Sequence, residues 1–204
     1  AAKRRLARSM RKRRDRFVRR QTILIEVLVK TGLMPADEAA RKAPEKLDPY
    51  WLRAAALDER LELYEIGRAF FHINQRRGFK SNRKAERKQK DNEDGKIASG
   101  ARALDEAMAE EVADTLGQFL ARRETKRVRM GGENQGYDFY PQRRHVEYEF
   151  GRIWEEQGKH HPDLLTETAR LWRSVGHHDI DGRFRIDGVT GPDEYSAVAD
   201  NNVF

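Results

Sequence analysis

Hydrophobic residues recur at helical spacing along most of this 204-residue chain. Between Lys3 and Lys30 no Pro or Gly interrupts a run of good helix formers, so the sequence predicts one long helix. Gly32 is expected to end this helix, and Pro35 prevents its continuation. The apolar positions form a narrow stripe on an otherwise basic rod: Leu6, Met10, Phe17, Leu24 and Leu28.

Residues 34–49 contain three prolines and are predicted to form a linker, with one short helix at Asp37–Lys42. The next stretch, residues 50–77, predicts a second helix that Gly78 stops. Its expected core positions are Leu57, Leu61, Ile66, Phe70 and Ile73.

Residues 84–100 are highly charged and contain Gly and Ser, which is typical of a mobile loop. Residues 103–124 then predict an amphipathic helix, with an apolar side made of Leu104, Met108, Val112, Leu116, Phe119 and Leu120. A Gly-rich turn at 130–136 precedes a last helix over 143–161, which places Val146, Phe150, Ile153 and Trp154 on one face.

Up to about Glu167 the pattern indicates helices and loops and no convincing strand, so the predicted fold class is mainly α. Residues 168–204 differ, because two Asp-Gly pairs, a Gly-Pro and an Asn-Asn predict an irregular, turn-rich tail. We therefore expect an arginine-rich helix (1–33), the linker, a helical unit (50–167) and a tail that is not an independent domain.

The charge is divided unevenly between the two parts of the chain. Residues 1–90 carry 26 Lys or Arg and 11 Asp or Glu, whereas residues 91–204 carry 15 and 23. The first part therefore has a net charge of +15 and the second of −8. This local basic character indicates that the first part binds a polyanion.

Several classes of site and segment are excluded by composition. The chain has no Cys, so it has no disulfide, thiolate metal ligand or cysteine nucleophile, and it is compatible with a reducing cytosol. No apolar run approaches the roughly 18 residues of a membrane span, and no signal-peptide pattern is present. Because the chain begins Ala1-Ala2 with no Met, we expect a piece of something longer.

The first helix is the main candidate for polyanion binding. Arg4, Arg8, Arg11 and Arg19 lie along one side of it, while Arg5, Lys12, Arg16 and Arg20 extend the charge around the next. Arg outnumbers Lys, which favours bidentate phosphate contacts. A solvated helix face or a non-specific basic segment remains the alternative.

A second basic cluster follows at the end of the second predicted helix. Arg68, His72 and Arg76 lie four residues apart, and the run Arg-Gly-Phe-Lys-Ser-Asn-Arg-Lys begins at Arg77. Basic side chains, a stackable Phe79 and polar donors suit an RNA backbone with unpaired bases. The alternative for His72 is a satisfied surface or core histidine.

Three segments of the chain resemble one family, the type II CRISPR-associated RNA-guided DNA endonucleases, and particularly their compact II-C branch. RRLARSMRKRRDRFVRRQTILIEVLVKTGLMP resembles the arginine-rich bridge helix, and LYEIGRAFFHINQRRGFKSNRK resembles the recognition-lobe segment that follows. YPQRRHVEYEFGRIWEEQGKHHPDLLTE resembles a later part of that lobe. The resemblance covers residues 3 to about 167, in the family's order.

This resemblance implies a helical module that binds guide RNA (crRNA and tracrRNA) and the guide–target heteroduplex by shape and backbone, in the cytoplasm of a prokaryote. It implies RNA-phosphate contacts for Arg4, Arg5, Arg8, Arg11, Lys12, Arg13, Arg14, Arg16, Arg19 and Arg20. Further RNA contacts are implied or expected for Arg68, His72, Arg76, Arg77, Lys80, Ser81, Asn82 and Arg83.

The nuclease parts of that family have no counterpart in these 204 residues. The first RuvC strand, the HNH domain and the PAM-reading domain are missing, and the Mg²⁺ that the family uses is bound by carboxylates of those domains. We therefore expect antiviral RNA binding without DNA cleavage by this chain alone, and no cofactor of its own.

The tail RFRIDGVTGPDEYSAVADNNVF resembles another family, the inverting phosphorylases of maltose, trehalose or kojibiose. That resemblance implies Glu194 as the general acid. Ser196 stands where the family usually has His, and some 37 residues are too few to enclose the family's active site. The histidines at 160–161 and 177–178 show no metal-ligand pattern.

Three functions follow as alternatives: specific RNA binding, sugar phosphorolysis through Glu194, and non-specific coating of nucleic acid. Three explanations fit the junction of two family resemblances near residues 166–171: a misjoined assembly, a true gene fusion or a truncated gene. We favour an artificial or accidental join because neither half is complete.

Overall fold

The computed structural model describes residues 2–76, 78, 96–124 and 139–162, together with the backbone of residues 177–178 and 184–185. These ranges are mainly helical, as the sequence predicts. The helices are α1 (Ala2–Lys30), α2 (Glu38–Glu45), α3 (Pro49–Ala55), α4 (Leu63–Gln75), α5 (Lys96–Glu110), α6 (Leu116–Arg122) and α7 (Arg143–His160). Two two-residue strands, β1 (His177–His178) and β2 (Phe184–Arg185), pair antiparallel.

Helix α1 confirms the predicted long helix and ends where the sequence indicates. Gly32 adopts a φ of +72°, and the amide of Leu33 donates to the carbonyl of Leu28 at 2.8 Å. Only glycine enters this left-handed conformation without a steric penalty. The chain therefore reverses at Gly32 and brings Leu33 into the core, where it is fully buried.

The region predicted as a linker is packed against the rest of the fold. Its helix α2 begins one residue after the Asp37 cap and extends through Pro44, beyond the predicted end at Lys42. Pro44 is buried, and α2 lies against α4. Pro44 has no amide hydrogen to donate to the carbonyl of Ala40, so this short helix lacks one internal hydrogen bond.

The single helix predicted over residues 50–77 is wrong, since the structure has two helices separated by residues 56–62. All five predicted core positions of this stretch are nevertheless buried. The side-chain amide of Gln157 donates to the carbonyls of Ala56 and Glu59 at 2.7 Å each and accepts from the amide of Leu61 at 3.0 Å. The Gln157 side chain from α7 therefore supplies hydrogen-bond partners that these backbone groups would have had within a continuous helix.

The single helix predicted over residues 103–124 is also wrong, because α5 ends at Glu110 and α6 begins at Leu116. Val112 lies in the intervening turn with a φ of +50°, and its side chain is 82% exposed. It is therefore not a core residue as predicted, whereas the other predicted positions of this stretch are buried or half-buried. The first residues of α5, 96–100, also lie in a helix and not in the predicted loop; residues 84–95 lie outside the described residues.

The core is centred where α4 and α7 meet. Phe70 packs against Phe150 and Trp154, with ring centroids 4.8 and 5.8 Å apart. The four positions predicted for the buried face of α7 are all buried. Helix α3 packs on α4 and α6, and α1 reaches this core through α4. Among the described helices none is both long and apolar enough to cross a membrane.

Candidate nucleic-acid interface

The first half of α1 is a fully exposed basic surface. Every residue from 3 to 19 is exposed, and ten of these are Lys or Arg while one, Asp15, is acidic. At about 1.5 Å per residue this half of the helix is roughly 25 Å long. Among the described residues, none of the basic side chains from Lys3 to Arg16 forms an ion pair with a carboxylate. Their charges are thus available to an external anion.

The apolar stripe of α1 is packed only at its C-terminal end. Leu24 and Leu28 are each 1% exposed, whereas Leu6 and Met10 are 64% and 61% exposed. The predicted stripe therefore lies on one helix, but its first half is exposed. Helix α1 leaves the core at about Arg20 and extends away from it as a basic rod.

At the base of this rod Arg20 is half-buried, and its guanidinium lies 5.9 Å from the ring centroid of Phe17. Burial, and then the charge of Arg143 at the start of α7, lowers the pKa of Arg20. Gly78 lies against the same helix start, because a Cβ added to it would come within 2.9 Å of the Arg143 amide nitrogen. Three segments of the chain thus meet where α1 leaves the core.

The three predicted residues on α4 occupy different environments. Arg76 is exposed at the end of the helix, and its amide donates to the carbonyl of His72 at 3.1 Å. Arg68 is half-buried, and its Nη2 donates to the carbonyl of Glu45 at 3.4 Å. Burial lowers the pKa of Arg68, while Glu45 and Asp48 oppose this shift. Only Arg76 of this group lies fully at the surface.

His72 is buried and not at the surface, which corresponds to the core-histidine alternative. Its ring meets that of Tyr50 edge to face at 4.7 Å, and its Nδ1 lies 3.3 Å from Nη1 of Arg53. Burial first, and then arginine charges led by that of Arg53, lowers the pKa of His72 to about 3. The neutral ring is therefore a structural partner of Arg53, and its burial argues against the predicted RNA contact.

A buried ion pair that has no clear signal in the sequence pattern organises this region. Arg53 of α3 donates to Glu149 of α7 through Nε at 2.5 Å and Nη2 at 2.7 Å, and both side chains are at most 1% exposed. Glu149 also accepts from the amide of Gly117 in α6 at 2.8 Å. The sequence gives only a weak indication of this pair, because Arg53 and Glu149 each occur as a single residue within the pattern of an amphipathic helix.

The N-terminus of α7 is fixed by a second polar group. The amide of Gln142 donates to Nδ1 of His145 at 2.9 Å, so Nε2 of that ring carries the proton and donates to Asp105 at 2.7 Å. Arg144 also donates to Asp105. Hydrogen bonds from His145 and Arg144 lower the pKa of Asp105 and outweigh the opposing effect of burial. This group ties α5 to α7.

The remaining predicted residues lie outside the described residues: Arg77, Lys80, Ser81, Asn82, Arg83 and Glu194. Their roles stay predictions. Within the described part of the chain no group of three or more His, Cys, Asp or Glu side chains could hold a metal ion.

Solved structures share this fold. A crystal structure of Campylobacter jejuni Cas9 in complex with sgRNA and target DNA matches 89% of this chain with a TM-score of 0.58 and 22% identity. A cryo-EM structure of the St1Cas9–sgRNA–tDNA59–ntPAM complex matches 92% with a TM-score of 0.56 and 23% identity. This chain covers 27% and 23% of those two chains. It therefore has a Cas9-like fold and spans about a quarter of their length.

A second likeness covers only the end of the chain. Residues 153–204 match the family model of the glycosyl hydrolase family 65 central catalytic domain. An uncharacterized glycosyl hydrolase of Mycobacterium tuberculosis is 66% identical over 41 residues, and the alpha,alpha-trehalose phosphorylase of Geobacillus stearothermophilus is 55% identical over 42. These stretches are 20% and 21% of this chain but 5% of each relative.

The start of that match overlaps the helical core. Ile153, Trp154 and Gln157 of α7 are buried, and Nε2 of His161 lies 2.8 Å from the carbonyl of Leu61. Residues 153–161 are thus matched by that family model and also pack into the helical core. The expected boundary at about Glu167 lies outside the described residues and stays a prediction.

Proposed function

We propose that this chain is the portion of a type II CRISPR endonuclease that binds guide RNA and the guide–target heteroduplex. The observation that carries the proposal is the exposed half of α1, with ten basic residues from Lys3 to Arg19. The Cas9-like fold supports it, because the matched C. jejuni Cas9 is in complex with sgRNA and target DNA.

The distribution of charge around α1 suits a folded nucleic acid better than a flat surface. At 100° per residue Arg4, Arg8 and Arg11 share one side, whereas Arg13 points to the opposite side and Arg14 lies between. A helix with phosphate contacts on several sides fits between strands. RNA-guided enzymes of this type hold the A-form duplex by its backbone and leave sequence reading to base pairing.

The predominance of arginine on α1 favours phosphate contacts of defined geometry. Its guanidinium donates in a planar fork that matches two phosphate oxygens, whereas Lys acts as a point charge. The rod is anchored by Leu24, Leu28 and Leu33, so the arginines are presented at fixed spacing. A disordered basic segment would bind any polyanion through charge alone.

The test measures binding of a fluorescent 20-base-pair RNA–DNA heteroduplex over a range of salt concentrations. The triple variant Arg8→Ala, Arg11→Ala and Arg16→Ala removes three exposed charges of α1. If each contacts a phosphate, the slope of log K against log salt falls by roughly 2–3, because each phosphate contact adds about 0.9.

A matched control removes the same charge from another surface. Lys42, Lys46 and Arg60 are exposed and lie outside α1. Their replacement by Ala is expected to leave the salt slope within about 0.5 of wild type. Equal losses in the two triple variants would overturn the proposal and favour non-specific coating by net charge.

Sugar phosphorolysis is the competing function, and the identity of the tail to known phosphorylases is the observation in its favour. The matched stretch is only 5% of such an enzyme. We expect no phosphate-dependent release of glucose 1-phosphate from maltose or trehalose. Release that is abolished in Glu194→Gln would establish the phosphorylase function instead.

A further inference from the structure

The exposed half of α1 carries an apolar stripe that phosphate binding does not explain. Leu6, Met10 and Phe17 lie four and seven residues apart, so they share one side of the helix. Leu6 and Met10 are exposed, one turn apart. A phosphate backbone offers charge but little apolar area, so it would leave these side chains in water. Adjacent exposed apolar side chains mark a surface that another segment or chain covers.

The charges around this stripe are available to an anion. Nine Lys or Arg residues lie between Lys3 and Arg16, with Asp15 as the one acidic residue among them. Within the described part of the chain, none of the nine forms an ion pair with a carboxylate. A partner that suits this side of α1 therefore combines carboxylates with apolar side chains.

The sequence of residues 186–204, the acidic segment, has this composition. It contains four carboxylates and no Lys, Arg or His: Asp187, Asp193, Glu194 and Asp200. Its larger apolar residues alternate with these carboxylates: Ile186, Val189, Tyr195, Val198, Val203 and Phe204. The acidic segment thus complements α1 both in the sign of its charge and in its apolar side chains.

The distance from the helical core to the exposed half of α1 is limited by the packing. Nε2 of His161, at the end of α7, lies 2.8 Å from the carbonyl of Leu61. Gly67, on the second turn of α4, packs directly on the carbonyl of Leu33. Leu61 and Gly67 are at most about 13 Å apart, and the mostly helical stretch from Leu33 back to Phe17 spans about 24 Å. The path from His161 to Phe17 is therefore at most about 45 Å.

The chain after the core is long enough to cover this distance. Fully extended, residues 162–177 span about 50 Å. The pairing of His177 with Arg185 then returns the chain to the start of the acidic segment. A segment tethered within reach of its site has an effective concentration in the millimolar range. A contact that would be weak between separate molecules is therefore well populated within one chain.

We propose that the acidic segment lies along the exposed half of α1 when no nucleic acid is bound. Its carboxylates pair with the basic side chains, and its apolar residues cover Leu6 and Met10. The segment and nucleic acid then compete for the same side of α1, a consequence that rests on the proposed function.

Energy transfer between two dyes tests the contact, because the chain has no Cys of its own. Ser9→Cys on α1 and Asn202→Cys in the acidic segment carry the dyes. The transfer efficiency in 50 mM NaCl should fall by at least half in 500 mM NaCl, because salt screens exposed charges. It should fall as far at low salt when the four carboxylates of the segment are replaced by amides.

A matched variant removes four exposed carboxylates from other surfaces: Asp58, Glu59, Glu106 and Glu110. Their amides should leave the transfer efficiency unchanged. An efficiency that ignores both salt and the carboxylates of the segment, or an equal fall in the matched variant, would overturn the contact. So would equal transfer between separate donor-labelled and acceptor-labelled molecules, since the occupant would then be a second copy of the chain.

The apolar part of the contact is tested separately. The double variant Leu6→Gln and Met10→Gln keeps every charge of α1 but removes the exposed apolar side chains. The transfer efficiency should fall in this variant, whereas the salt slope of heteroduplex binding should stay within about 0.5 of wild type. An unchanged efficiency would show that the segment does not cover the stripe.

Binding of the RNA–DNA heteroduplex at 150 mM salt tests the competition. The variant with four amides in the acidic segment should bind about 3- to 10-fold more tightly, because a larger fraction of α1 is then uncovered. The matched variant has the same change in net charge and should stay within about twofold of wild type. Equal affinities of the wild type and both variants would overturn the competition.

The two measurements separate this contact from the proposed function. If transfer responds as expected but no heteroduplex binds, the contact stands and the proposed function fails. If the heteroduplex binds through α1 but transfer responds to neither salt nor charge, the proposed function stands and the contact is overturned.

Discussion

Removing the carboxylate of Glu149 should destabilise the fold more than any surface change. Both carboxylate oxygens are used: one accepts from Nε of Arg53, and the other from its Nη2 and from the amide of Gly117. The exposed fractions are 1% for Arg53 and 0% for Glu149. In Glu149→Leu a buried guanidinium and a buried amide lose their acceptor together.

The expected cost of this single change is about 3–5 kcal/mol in the free energy of unfolding, as is usual when one partner of a buried ion pair is removed. Arg53→Met should cost a similar amount, because it leaves the carboxylate buried without its cation. The double variant removes both charges and should lie within about 2 kcal/mol of wild type, since apolar pairs often replace buried ion pairs without loss. The amide of Gly117 accounts for the remaining loss.

Urea unfolding followed by circular dichroism at 222 nm measures all four proteins of this double-mutant cycle. The exposed pair Arg123–Glu111, with Nη1 and Oε1 3.0 Å apart, is the matched control. Its loss in Glu111→Leu should cost less than about 1 kcal/mol. If the Glu149→Leu protein were no less stable than this control, the ion pair would not hold the helices together as described.

Three further predictions test other parts of the fold. Burial keeps His72 neutral in the folded protein with a pKa of about 3, so as the pH falls this histidine is protonated first in the unfolded chain. The free energy of unfolding should therefore fall by about 2 kcal/mol from pH 7 to pH 5 and recover above pH 6.5. Urea midpoints measured across this range check this, and their pH dependence should be flatter in His72→Gln. Gly67→Ala places a Cβ 1.8 Å from the Leu33 carbonyl and should cost more than about 2 kcal/mol despite the better helix propensity, measured the same way. Leu28→Ala should cost about 2–5 kcal/mol, whereas Leu6→Ala on the exposed half of the same helix should change thermal stability by less than about 0.5 kcal/mol.

The sequence predicts helices well where local and distant interactions agree. Helix α1 begins within one residue of its predicted start, and Gly32 ends it as expected. The buried face of α7 follows directly from its 3.6-residue period, because Val146 and Phe150 face the core.

The sequence fails where a distant side chain decides the local structure. The break between α3 and α4 contains no Gly or Pro, and Gln157, about a hundred positions away, satisfies its carbonyls. Arg122 similarly donates to the carbonyls of Glu111 and Val112 at the break after α5. The residues of the two breaks themselves give no indication that a distant side chain donates to their backbone carbonyls.

The candidate site shows the same division. The basic character of α1 is local and predictable, whereas the burial of His72 depends on Arg53 and Tyr50 from another helix. The place of Arg143 beside Arg20 depends on the packing of α7 and has no signal in sequence spacing.

The most direct test of the account is a competition between two duplexes of the same sequence and length, an RNA–DNA heteroduplex and a B-form DNA duplex, at 150 mM salt. The two carry the same phosphate charge and differ in shape and in the 2′-hydroxyl groups. If the chain is the heteroduplex-binding part of an RNA-guided nuclease, the heteroduplex should bind at least about tenfold more tightly. Equal affinities would contradict the account and leave α1 as a basic helix that binds polyanions by charge alone.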